Sequence, residues 1–115
     1  MKQGADVNKP AVTSNWHTHT YRCKHASGEA IDYCRAALAG GLEILGFADH
    51  VPLPGNLWID VRMSPPELPE YRQAIAAAAA QCPTLRVYAG LECEHIPEFV
   101  GYYRQELLGK HGLDY

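Results

Sequence analysis

Apolar positions along the chain fall into two alternating patterns: short continuous runs, and longer stretches with apolar residues at helical spacing. Ala11–Trp16 reads as a strand that runs into His17. Ser27 is placed to cap a helix over Gly28–Ala39, with Ile31, Cys34 and Leu38 on one face, and Gly40-Gly41 to end it. Ile44–Ala48 is almost wholly apolar, as expected of a strand covered on both faces in a parallel sheet, and it leads into Asp49-His50. After a loop rich in Pro, Gly and aromatic residues (Val51–Met63), Ser64-Pro65-Pro66-Glu67 has the pattern of a reciprocal cap with Pro at the first helical position. The helix behind it runs through Tyr71 and the alanine run to Gln81, and Pro69 can set off its first turn. Leu85–Leu91 is a third strand, ending at Glu92. A helix over Glu98–Leu108 follows, and Leu113-Asp114-Tyr115 reads as the beginning of a fourth strand. The first ten residues, closed by Pro10, read as a leader.

Strands alternating with helices imply an α/β fold with parallel strands and right-handed crossovers, closed as a barrel or left as an open sheet. A chain of 115 residues holds one domain and one core. Composition is that of a globular protein, with 47% apolar and 20% charged residues. The formal charge of −3, with no run of Lys or Arg, argues against a nucleic-acid binder and does not exclude a small phosphorylated metabolite as partner. Met1–Val7 lacks the pattern of a signal peptide, and Ala74–Ala80 is too short to span a bilayer, so no membrane partner is expected. Cys23, Cys34, Cys82 and Cys93 form no CxxC pair; they read as reduced thiols, mostly small buried hydrophobes, in a cytoplasmic protein.

The candidate chemistry lies at the C-terminal ends of the three strands. His17-Thr18-His19 follows the first, Asp49-His50 the second and Glu92 the third. In a parallel barrel these ends meet at one mouth, where metals and substrates bind. His17 and His19 are two apart, so an extended backbone points both imidazoles the same way, toward one ion. His25 lies eight residues beyond His17 in a short loop. Glu94, two residues past Glu92, shares its face if the strand continues and is its main competitor. Asp49 is read as a group that orients a ligand rather than as a ligand. Arg22, Lys24 and Arg62 are candidate contacts to a phosphate, while His95 and His111 read as solvated loop residues. Asn56–Met63, around Trp58, is either a loop over the mouth or a small hydrophobic cluster.

His17-Thr18-His19-Thr20 with His25, Gly46-Phe47-Ala48-Asp49-His50 and Gly90-Leu91-Glu92 resemble, in order, three motifs of the polymerase-and-histidinol-phosphatase (PHP) superfamily. Cys23-Lys24-His25-Ala26 and Gly90–Phe99 are most similar to its histidinol-phosphatase branch. The resemblance runs from about Trp16 to Tyr115. It implies about three βα units from the N-terminal part of a distorted (β/α)7 TIM-like barrel, holding two or three divalent ions (zinc, manganese or iron). By that resemblance His17, His19 and Glu92 hold one ion, with Glu92 bridging to a second, and His25 and His50 hold a third. Imidazole and bridging carboxylate suit these metals. The implied nucleophile is a metal-bound hydroxide with no side-chain nucleophile, acting on L-histidinol phosphate in histidine biosynthesis.

Later family ligands, two histidines and an Asp-x-His, have no match here, and such barrels need about 250 residues. The expectation is therefore an incomplete barrel domain over 1–115, prone to self-association through its open edges. Other phosphoesterases or nucleases of the superfamily, an amidohydrolase, and a catalytically inert half-barrel are the competing readings. The amidohydrolase is disfavoured because it requires neither Asp49-His50 nor Gly90-x-Glu92.

Overall fold

The computed structural model describes residues 12–115; the expected leader and Ala11 lie outside the described residues. Strands β1 (Ser14–Thr18), β2 (Ile44–His50) and β3 (Arg86–Glu92) form one parallel sheet in the order β1-β2-β3. β2 is the central strand and is buried along five of its seven positions, whereas β1 is largely exposed. β2 and β3 pair in unbroken register from Ile44↔Arg86 to His50↔Glu92, which sets His50 beside Glu92 at the strand ends. The register of β1 against β2 slips between Asn15 and Thr18. Such an irregularity lets adjacent residues share one face of the sheet. Trp16 stacks on Tyr88 (ring centroids 5.2 Å), and His17, the next residue, still reaches Glu92.

Helices α1 (Ala30–Ala39) and α2 (Leu68–Gln81) cover the other face. The core joins Ala30, Cys34 and Ala37 of α1 and Tyr71, Ile75 and Ala78 of α2 to Leu45 and Phe47 of β2 and Ala89 and Leu91 of β3. Each large apolar side chain removed from water there contributes about 1.5–3 kcal/mol. Only Ala78 of the central alanine run is fully buried, so that run packs tightly on one side and faces water on the other.

Helix α1 starts two residues later than the sequence predicts. Gly28 has φ +95°, a left-handed conformation that cannot continue a helix, and Glu29 rather than Ser27 is the cap. The Glu29 side chain accepts from Ala30 N, and the Asp32 side chain accepts from Glu29 N in return. The expected reciprocal cap of Ser64 and Glu67 is present and leads through a single turn, Pro65–Glu67, into α2. The last helix differs: α3 (Val100–Tyr102) widens into a π-helix over Tyr103–Lys110.

Leu113–Tyr115 forms no regular ladder, but it runs along the free edge of β3. Asp114 N donates to Ala89 O (2.7 Å) and Leu91 N to Tyr115 O (3.2 Å). The Tyr115 ring lies flat over Gly46 and Gly90; a Cβ at Gly90 would come within 2.7 Å of it. Those two glycines leave the space the ring occupies. Among the described residues, no helix is long and apolar enough to cross a membrane.

Candidate metal centre

The sheet register and the β1 irregularity bring three donor atoms to one point. His17 Nε2 lies 2.8 Å from Glu92 Oε1, His19 Nε2 lies 3.0 Å from the same oxygen, and the two Nε2 atoms are 3.1 Å apart. Either both imidazoles donate Nε2–H to the one carboxylate oxygen, which packs two donors against each other, or all three atoms turn lone pairs toward one point. One cation satisfies all three lone pairs. Donors held at about 2.0–2.1 Å in a tetrahedron stand roughly 3.3 Å apart, so this set needs to open by only a few tenths of an ångström. His50 Nδ1 adds a second observation: it is buried, has no hydrogen-bond partner and lies 3.9 Å from Glu92 Oε1. An unsatisfied buried imidazole nitrogen aimed at a carboxylate fits a donor for a metal ion.

The electrostatics suit the same use. Burial holds His50 below the usual imidazole range, with the nearby His19 acting in the same direction. A neutral ring is the form that binds metal. Burial pushes Glu92 upward, but the hydrogen bonds of His17 and His19 and the charge of His50 outweigh it and leave the carboxyl below its ordinary range. Glu92 is therefore an anion at neutral pH.

Asp49 points to the opposite face of β2 from His50, toward the helices, and is fully buried. Thr20 N donates to both of its oxygens (3.1 and 3.0 Å), and Thr20 Oγ1 donates to Oδ2 (2.5 Å). Its Oδ1 lies 3.8 Å from Nδ1 of His19, the side of the ring away from Glu92. Burial raises the Asp49 carboxyl, against the pull of the Thr20 hydrogen bonds. From α2, Tyr71 Oη accepts from Asp49 N (3.2 Å) and donates to Gly90 O (2.8 Å), tying β2 to β3 just below the ligands. Cys23 forms a second, overlapping group of possible donors with His19 and Asp49.

Several residues stand elsewhere than the sequence suggests. His25 is exposed and belongs to neither group of converging donors among the described residues. The left-handed Lys24 (φ 67°) ends the turn Tyr21–Cys23 and redirects the chain before His25. Arg22 is not free to meet a phosphate. It is buried, and its guanidinium is held in a fork by Glu29 (2.6 and 2.9 Å), with Glu70 at 3.4 Å. Arg62 is likewise buried and forked by Glu94 (3.0 and 2.5 Å), which also removes Glu94 as a rival to Glu92. Lys24 remains exposed, with Nζ donating to Ile59 O (2.6 Å). His95 is exposed and His111 half-buried.

Thr20, Glu29 and Tyr71 escaped the sequence reading as supports of the site. The Glu29-x-x-Asp32 spacing is a usable signal for the first cap. Nothing local signals the reach of Tyr71 across to Gly90.

Residues 15–115 match the family model described as PHP domain. A Deinococcus radiodurans protein named "Probable histidinol-phosphatase" is 38% identical over 102 residues, a span of 86% of this chain and 38% of that protein. The crystal structure of a candidate histidinol phosphatase from Listeria monocytogenes superposes with a TM-score of 0.66 at 18% identity, over 87% of this chain and 41% of that one. The chain thus spans about two fifths of the length of these relatives. With the match running through all three strand ends, the chain belongs to the PHP domain family.

Proposed function

We propose that this chain is the first part of a distorted (β/α)7 barrel and carries half of the site of a metal-dependent phosphomonoesterase acting on L-histidinol phosphate. The observation that carries the reading is the meeting of His17 Nε2, His19 Nε2 and Glu92 Oε1 within 3.1 Å of one another. The names of the relatives support the phosphatase class and the substrate. The exposed β1, at the edge of a sheet whose central strand is buried, supports further strands closing on it, or self-association through the same edge.

His17, His19 and Glu92 would hold one ion, and His50, beside Glu92 in register, would share in holding a second. Zinc, manganese or iron, two or three ions in all, suit donors of this kind. Divalent ions bound there would supply Lewis acidity toward a phosphoryl oxygen and lower the pKa of nearby water. Asp49 steers His19 from behind, and Lys24 is the exposed cation nearest in sequence for the phosphate dianion. No side chain of the group serves as nucleophile in this reading. Cys23, Cys34 and Cys82 are buried free thiols, which supports a reducing, cytoplasmic setting.

Phosphate release by the whole protein tests the reading, with L-histidinol phosphate, a nucleoside monophosphate and an amide offered side by side, with manganese and with a chelator. Release from L-histidinol phosphate that the chelator abolishes is the expected outcome. Preference for the nucleotide would move the protein to another phosphoesterase of the family. Amide hydrolysis without phosphate release would overturn the phosphatase class.

A further inference from the structure

Arg62 is 2% exposed, yet it sits in a loop and belongs to none of the donor groups. A buried guanidinium in a loop needs a full set of acceptors. Here they come from Val51 and Trp58 of its own loop and from Glu94 beyond β3. Nη1 and Nη2 fork the Glu94 carboxylate (3.0 and 2.5 Å), Nη1 also donates to Val51 O (2.9 Å), and Nε donates to Trp58 O (3.2 Å). Val51 directly follows His50, and Glu94 lies two residues beyond Glu92. Val51 N in turn donates to Glu92 O (3.0 Å). The guanidinium therefore fixes the exits of β2 and β3 one and two residues past their ligand-type side chains.

We propose that the Arg62–Glu94 pair is a positioning device that sets the spacing of His50 and Glu92 and thereby tunes how tightly the site holds a divalent ion. The proposal rests on the metal-site reading above. Strand pairing ends at His50↔Glu92; beyond it Tyr102 Oη donates to Pro52 O (2.6 Å) and Tyr103 Oη to Glu94 O (2.9 Å), while the Val51–Glu92 hydrogen bond and this fork tie the two exits to each other. The fork is planar and bidentate, and a lysine ammonium would supply the charge without the two-point geometry. The Trp58 ring lies 5.7 Å from the guanidinium carbon, and Trp58 itself takes a left-handed φ of 53°. The loop is thus bent inward around the arginine, which explains why an exposed tryptophan contributes a carbonyl to a buried group.

The test is titration of the chain with cobalt(II), read by calorimetry and by the visible absorption of the bound ion, for wild type, Arg62→Lys, Glu94→Gln and the double variant Arg62→Met/Glu94→Leu. The double variant removes both charges together, which a folded core generally tolerates, and so keeps the test open if a single variant unfolds. Loss of about 10–100-fold in affinity, the range for groups that orient ligands, is expected in the double variant and in Glu94→Gln. Arg62→Lys should fall between these and wild type and show an altered absorption band. Wild-type affinity and spectrum in a folded double variant would overturn the positioning role while leaving the metal site intact. Failure of wild type itself to bind cobalt would overturn the metal-site reading and this proposal with it.

Discussion

Glu92→Ala is expected to reduce divalent-ion affinity by more than about 100-fold, beyond the range set by groups that merely orient ligands. Glu92 is the anion that meets both His17 and His19, and His50 faces it as well. Without it an ion would rest on neutral imidazoles alone, and the carboxylate available to bridge a pair of ions would be gone. The exposed His95→Ala is the control, since it removes an imidazole outside the converging donors. Competition with a chromophoric chelator measures both variants. Affinity for Glu92→Ala within about threefold of wild type, against the much larger loss expected even of an outer partner, would show that the ion binds elsewhere.

The largest effect on stability is expected from Glu29→Ala. Glu29 caps α1 and is the fork partner of Arg22, whose side chain is 1% exposed. Losing a cap costs about 1 kcal/mol. Leaving a buried charge unpaired costs about 3–5 kcal/mol, and this is reduced here because Glu29 is partly solvated and Glu70 remains within reach. A net loss of roughly 3 kcal/mol is a large share of a small domain's total stability. Urea denaturation followed by circular dichroism measures it, and a loss below about 1 kcal/mol would mean that the Arg22 fork contributes nothing beyond the cap.

The same pair sets an acid limb. Burial raises the Glu29 carboxyl, but the hydrogen bonds from Arg22 and Ala30 N outweigh it and leave the folded-state pKa below the ordinary value. A carboxyl depressed on folding contributes stability that is complete above its unfolded pKa and fades as pH falls through the folded one. Wild type should therefore lose stability below the usual carboxylate range, and Glu29→Ala should lose less over that interval.

The alternation of apolar runs and helical spacing was enough to place three parallel strands, most plainly at Ile44–Ala48, which is almost wholly apolar and buried along nearly its whole length. Their polar ends then pointed to His17, His19, His50 and Glu92, since parallel strands carry their C-terminal ends to one rim, whereas the β1 irregularity that sets His17 on Glu92 has no signal in the sequence. The start of α1 was misplaced because Gly28 adopts a left-handed turn that a capping serine next to it conceals. Arg22 and Arg62 looked like free cations because their partners are distant in sequence or lie across a turn. Glu29 is seven residues from Arg22 and Glu94 is thirty-two from Arg62. Pairings of that kind belong to tertiary packing, and no local pattern reports them. His25 follows the left-handed turn at Lys24, a backbone conformation that residue identity does not fix.

Anomalous diffraction at the zinc edge, on crystals of the chain grown with zinc, addresses the site without relying on turnover. The expected result is a peak bonded by Nε2 of His17, Nε2 of His19 and the carboxylate of Glu92. Ordered zinc bound by other residues, with those three side chains still hydrogen-bonded only to one another, would contradict it.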